Sequence, residues 1–335
     1  MTSRRQVAAA VIGALGFFLG VQLGALALVE PFDAAGYQAV ENPQNPANSA
    51  FYIGVILVAT AVMLVLFRLD RTDLLRAFLV VTSGLISAYV FSVLFPREPT
   101  LGPIPVSLAT ALGAGLVIVG LYVHPEWWVI DSVGLVMGMG AAALFGISFG
   151  VLPAIILLSA LAIYDAISVY GTEHMLSLAS GVMELRVPVL VIIPTSLEYS
   201  FIEMADEMSA DVSESTTIEE GTGDDAASDS EDGEEDGEPF ERDAFFIGLG
   251  DAVIPTILVA SAARFLSAPE ILGIGLPALG AMVGTLLGLL ILLGMVMKGR
   301  PHAGLPLLNG GAIGGYLLGA LASGIPLLEA LGLAV

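Results

Sequence analysis

The sequence predicts an all-α polytopic membrane protein, and three observations carry that expectation. Hydrophobic residues make up 56% of the 335 positions and charged residues only 13%, more apolar surface than a single soluble core of this length buries. The apolar residues fall in uninterrupted runs of about 20, the length that crosses roughly 30 Å of hydrocarbon with every backbone N–H and C=O satisfied inside the segment. The sparse Lys and Arg gather at alternate junctions between runs, as the positive-inside bias requires of a chain that crosses repeatedly.

Taken in order, the runs give nine helices. The first, about 6–29, follows Arg4 and Arg5. Its apolar run is longer than the h-region of a signal peptide, about 7 to 15 residues, and no small-residue cleavage site precedes a soluble domain, so it reads as a span. The second and third, 51–68 and 74–95, flank Arg68, Asp70, Arg71 and Arg76, and the fourth covers 103–122. The fifth and sixth, 127–146 and 148–170, meet between Gly146 and Gly150 without a polar break; they are divided because 44 residues are twice one crossing. Helices over 244–264, 268–297 and 303–328 complete the set. Glycines at four-residue spacing (Gly16, Gly20, Gly24; Gly280, Gly284, Gly288; Gly311, Gly315, Gly319) mark faces where helices pack closely.

The basic residues orient the chain. Arg4 and Arg5, then Arg68, Arg71 and Arg76, then Lys298 and Arg300 all fall at one side, which puts the N-terminus in the cytoplasm and the C-terminus outside. Arg97 and Arg264 are single exceptions, and Glu98 follows Arg97. The chain thus divides into an N-terminal membrane part (1–170), a cytoplasmic segment (171–243) and a C-terminal membrane part (244–335). The net charge of −22 belongs largely to the middle segment, because 18 of the 33 acids lie between Glu203 and Asp243 with Arg242 as the one base among them. Residues 208–240, built of Ser, Thr, Asp, Glu and Gly, bury too little apolar area to offset ordering entropy and are expected to be disordered. Residues 187–194, Val-Pro-Val-Leu-Val-Ile-Ile-Pro, are β-branched, bounded by prolines and too short to span, so a strand or an interfacial segment is expected there, against the plainer reading of a loop packed on the helix ends.

Composition removes several kinds of chemistry. Without cysteine there are no disulfides, thiolate zinc sites or cysteine nucleophiles. His124, His174 and His302 fall in three predicted loops and form no His-Glu-x-x-His pair. Scarce Lys and Arg give no surface for nucleic acid, and no phosphate-binding Gly-Lys-Ser/Thr loop is present. Gly146-Ile147-Ser148-Phe149-Gly150 matches a nucleophile elbow by chance, since that motif needs a strand-turn-helix and a His partner. No metal and no cofactor are expected.

Two acids stand inside spans, where a charge costs at least a few kcal/mol and marks a working site. Asp251 follows Gly248, Leu249 and Gly250; Asp165 lies late in the sixth helix after Tyr164. At about 1.5 Å per residue Asp165 sits roughly 8 Å, and Asp251 roughly 10 Å, from the cytoplasmic end of consecutive antiparallel helices, so the two stand at nearly equal depth. Asp131, after Trp127 and Trp128, and Glu30, Asp70, Glu270 and Glu329 read as interfacial. Two close carboxyls share one proton and titrate as a pair. That state serves peptide hydrolysis by general acid and base, a proton or ion relay in a transporter, or a buried structural pair, and the two acids alone leave all three open.

The neighbours of the pair add a resemblance. Tyr164-Asp165 in the sixth helix, Gly248-Leu249-Gly250-Asp251 in the seventh and a proline-leucine turn opening the ninth resemble the presenilin and signal peptide peptidase family of intramembrane aspartyl proteases, most nearly a prokaryotic, archaeal presenilin homologue. A literal Pro277-Ala278-Leu279 occurs in the eighth span, but the better positional match to the family's Pro-Ala-Leu is Gly304-Leu305-Pro306-Leu307-Leu308, with Leu307 where the family has Ala. The resemblance implies an aspartic endopeptidase that cuts transmembrane segments of other proteins within the lipid bilayer, with Asp165 and Asp251 as its dyad. Tyr164, Gly248, Leu249, Gly250, Pro306, Leu307 and Leu308 would shape the site or seat substrate. It further implies a multi-pass protein of the cell membrane, its site nearer the cytoplasmic side; we expect it to work without obligatory partner subunits. Residues 187–194 would pair with the unwound substrate as an added strand.

Overall fold

The computed structural model describes residues 4–69, 71–95, 107–171, 188–194, 199–204, 244–297 and 303–333. Its elements in chain order are α1 (Arg4–Ala34), α2 (Ala47–Arg68), α3 (Thr72–Leu94), α4 (Leu108–Val123), α5 (Trp127–Ser148), α6 (Val151–Gly171), β1 (Leu190–Pro194), β2 (Ala244–Gly248), α7 (Leu249–Phe265), β3 (Glu270–Ile271), β4 (Ile274–Gly275), α8 (Leu276–Val296), α9 (Gly304–Ala322) and α10 (Leu327–Ala330). Among the described residues seven helices, α1, α2, α3, α5, α6, α8 and α9, are long and apolar enough to cross a membrane. The fourth and seventh expected spans correspond to the shorter α4 and α7. Asp70, Arg97, Glu98, His174, Lys298, Arg300, His302 and the acidic 208–240 stretch lie outside the described residues.

The local sequence explains most boundaries. Ser107 caps α4, its hydroxyl accepting from the Thr110 N–H at 3.1 Å, which satisfies one otherwise orphaned donor. The expected break between the fifth and sixth helices falls at Phe149 and Gly150, where Phe149 turns extended (φ −116°, ψ 118°).

Three expectations need correction. Residues 244–248 do not begin the seventh helix; Ala-Phe-Phe-Ile-Gly forms β2, antiparallel to β1, with Ile192 opposite Phe246 and Leu190 opposite Gly248. Aromatic and β-branched residues favour a pleated surface, and an apolar run that short does not distinguish strand from helix. The eighth span does not run from 268: Glu270–Gly275 turns back on itself as the β3–β4 hairpin, with Leu272 (φ 56°) and Gly273 (φ 77°) at its tip, before α8 begins at Leu276. The ninth stops at Ala322, because Gly324 takes φ 77° and Pro326 follows, a common helix ending.

The core is built around α7. Its residues Ile257, Leu258 and Val259 pack with α6, α8 and α9 residues, while Ala260 packs with α1 and α5 residues. Small residues set the closest approaches. A Cβ on Gly146 of α5 would collide with Ala260 of α7, and Cβ atoms on Gly280 and Gly284 of α8 would collide with the carbonyls of Gly315 and Gly311 of α9. The two glycine rows thus bring the backbones of α8 and α9 into direct contact, as small residues do between membrane helices. At one end, Arg264 of α7 pairs with Asp33 of α1 at 3.0 Å, both partly exposed.

Candidate active site

Asp251 is the third residue of α7, so it sits in the first turn and not two turns inside a helix, as the extra residues 244–248 had implied. Gly248 ends β2 immediately before it and is the extended N-cap of α7 (φ −62°, ψ 131°). The strand-to-helix turn therefore aims the Asp251 carboxyl back towards the sheet. Its Oδ2 lies 3.4 Å from where a Cβ on Gly248 would stand, and 3.4 Å from where a Cβ on Gly304 would stand.

Asp165 comes from α6 and meets the same turn from the other side. The Leu305 backbone N–H donates to its Oδ2 at 3.0 Å, and the Gly304 backbone N–H also bonds to its carboxyl. These are first-turn N–H groups of α9, which have no partner within their own helix. Both aspartates are half-buried, and their carboxyl groups are near enough to interact electrostatically. The structure thus gathers α6, α7 and α9 at one point, with Gly304–Leu305 next to both acids.

The other expected residues surround this point unequally. Leu249 is buried, and its N–H donates to the Val189 carbonyl at 2.8 Å, extending the sheet bonding into the start of α7. A Cβ on Gly250 would meet Ile254 Cδ1 at an ordinary 3.7 Å, so packing does not require glycine there. Leu308 is fully buried. Pro306 and Leu307 line a groove of about 790 Å³ that runs between α8 and α9. Tyr164 is 57% exposed, on α6 one residue before Asp165. The literal Pro277-Ala278-Leu279 opens α8, and Pro277 packs beside Gly319. Gly319 is fifteen residues along α9 from Gly304, about 22 Å, so this motif stands at the far end of the helix pair from the acids.

Sequence reasoning found no partner for Asp131, and the structure gives it one. It is the fifth residue of α5; its Oδ1 accepts the Ile192 N–H of β1 at 2.8 Å. Only its position inside an apolar run distinguished it. Glu126, just before α5, accepts from the Ser200 hydroxyl at 2.8 Å and the Phe201 N–H at 3.0 Å. Ser148 of the elbow-like pentapeptide donates to the Leu144 carbonyl and accepts from the Ala39 N–H. Among the described residues, no three His, Cys, Asp or Glu side chains are grouped to hold a metal ion.

Residues 15–325 match the family described as signal-peptide peptidase, presenilin aspartyl protease. Two solved structures of a presenilin family intramembrane aspartate protease are similar to this chain. The one in space group C222 is 34% identical, with a TM-score of 0.62 over 93% of this chain and 99% of that one. The one in space group P2 is 36% identical, with a TM-score of 0.59 over 92% and 97%. No curated protein matches.

Proposed function

The chain belongs to the signal-peptide peptidase and presenilin family of aspartyl proteases, and from that premise we propose that Asp165 and Asp251 are its catalytic dyad. The protein is a multi-pass membrane protein and an intramembrane aspartyl endopeptidase, acting on transmembrane segments in the bilayer. The observation that carries the dyad is the meeting of two carboxyls from α6 and α7 at one α9 turn.

The chemistry follows from two acids holding one proton. The ionised carboxylate takes a proton from a water molecule as the water oxygen bonds to the scissile carbonyl carbon, and the protonated partner gives its proton to the carbonyl oxygen. The resulting diol collapses when the amide nitrogen is protonated and the C–N bond breaks, leaving a carboxyl and an amine. No covalent enzyme intermediate is needed. The Leu305 and Gly304 N–H groups fix the Asp165 carboxyl, and the absence of side chains at Gly248 and Gly304 leaves room beside Asp251.

A helical substrate hides its carbonyls, so it unwinds before attack. The expected role of 187–194 changes in this light, because β1 already pairs with β2. In an antiparallel pair, alternate residues turn their N–H and C=O away from the partner strand. The Leu249 N–H to Val189 bond fixes the parity: Val189, Val191 and Ile193 face β2, whereas Ala244, Phe246 and Gly248 turn outward. The outer edge of β2, which ends at the dyad, is the place for a substrate strand. Leu249 holds the sheet to α7, Gly250 leaves the substrate backbone space, and Pro306, Leu307 and Leu308 shape the far wall; Tyr164 contributes from the α6 surface. Nine spans, a cytoplasmic N-terminus, an outer C-terminus, the 1–170, 171–243 and 244–335 division, a cell-membrane location and a site nearer the cytoplasmic side complete the reading, and the protein acts without obligatory partner subunits.

The rival reading, a proton relay in a transporter, separates cleanly in lipid vesicles holding the protein and a single-span substrate. Proteolysis yields new peptide termini at the same rate with or without a proton gradient. Gradient dissipation without new termini would replace it.

A further inference from the structure

We propose that Asp131 is a positioning residue for the protease, sealing the outer edge of β1 so that the β1–β2 sheet keeps one place and one register over the dyad; the inference rests on the proteolytic reading above. Asp131 Oδ1 accepts the Ile192 N–H at 2.8 Å. By the parity of the pair, Ile192 is one of the residues whose backbone points away from β2, so the bond falls on the edge that would otherwise be open. The next outward residue, Pro194, has no N–H to offer. Of the outward positions Leu190, Ile192 and Pro194, one donor is therefore occupied and one is missing.

A bare strand edge accepts any extended chain, and neighbouring registers differ little in energy unless something pins them. With the β1 edge sealed, an incoming strand finds its place on β2, whose last residue Gly248 adjoins Asp251. A second carboxylate strengthens the arrangement. Glu126, five residues before Asp131, takes the Ser200 hydroxyl and the Phe201 N–H, so one end of α5 holds the chain on both sides of the 195–198 stretch. Phe201 and Ile192 are both buried in one cluster with Ile130 and Val133 of α5. The carboxyl oxygens fix hydrogen-bond geometry where apolar packing alone would allow sliding.

The test uses the purified full chain and a single-span substrate, with the new termini read by mass spectrometry and hydrogen exchange followed at 190–194. Leaving a buried N–H without its acceptor costs about tenfold in the equilibrium it supports. Asp131→Leu is therefore expected to raise KM about tenfold, spread cleavage over neighbouring bonds and speed exchange in β1, with kcat within about threefold of wild type. Asp131→Asn, whose amide oxygen accepts the same N–H, restores both the single product and the slow exchange. Wild-type KM and product pattern in a folded Asp131→Leu protein, or an Asp131→Asn protein as impaired as Asp131→Leu, would overturn the proposal. A general loss of melting temperature that Asp131→Asn shares, with no change in product ends, would also overturn it. Absence of cleavage by the wild type would instead overturn the proteolytic reading on which the inference stands.

Discussion

A single methyl group tests how closely α9 stands to the acids. A Cβ on Gly304 would lie 3.4 Å from Asp251 Oδ2 and 3.4 Å from Leu292 Cδ2, a close contact that fills the space beside the carboxyl. Gly304→Ala is expected to lower kcat by about threefold to tenfold, because the methyl occupies the space beside the Asp251 carboxyl that water and substrate must enter. Gly310→Ala, where nothing stands within 4 Å, leaves kcat unchanged. Equal turnover in the two variants would remove Gly304 from the site. At this scale the two acids were legible from sequence because a carboxyl inside an apolar run is costly. Asp131, beside Trp127 and Trp128, reads as interfacial from sequence, and that reading says nothing of its bond to β1. The partner of Asp131 is a backbone N–H about sixty residues away, and no side-chain pattern announces that. The Leu305 N–H was hidden for the same reason, whereas the Pro306 turn that carries it was found by position.

At the scale of elements, the glycine rows of α8 and α9 were readable because four-residue spacing puts them on one face. The structure adds which of them touch. A Cβ on Gly284 runs into the Gly311 carbonyl, whereas one on Gly314 meets nothing within 4 Å. Gly284→Ala is therefore expected to cost about 1–3 kcal/mol of stability by overpacking. Gly314→Ala changes stability by less than about 1 kcal/mol, in the stabilising direction, because Ala is the better helix former. Thermal unfolding in detergent compares the two, and a Gly284→Ala protein as stable as Gly314→Ala would refute the close backbone contact. The strands were half legible. Residues 190–194 announced themselves by prolines and β-branching, but β2 merged with the apolar start of α7, and the β3–β4 turn uses Leu272 and Gly273 where Asn-Gly would have signalled a hairpin.

For the whole molecule, composition and run length sufficed to place the chain in a membrane, because no soluble arrangement hides so much apolar surface. What they did not supply is how distant segments converge. The Leu305–Asp165 bond joins positions 140 residues apart, and the depth arithmetic that paired the acids assumed an unbroken helix from 244, which the strand replaces. The pairing survived because β2 and the first turn of α7 together carry Asp251 back to the α6 and α9 ends. The proposed dyad is thus a property of the assembled bundle, brought together only where α6, α7, α9 and the sheet meet. The most direct measurement is turnover of a single-span substrate by the purified chain alone in detergent, comparing wild type with Asp165→Asn and Asp251→Asn. The wild type is expected to produce two peptides with new termini, and each variant, lacking one half of the acid and base, to fall at least about a hundredfold in kcat while melting as the wild type does. Undiminished cleavage by either variant would contradict the dyad.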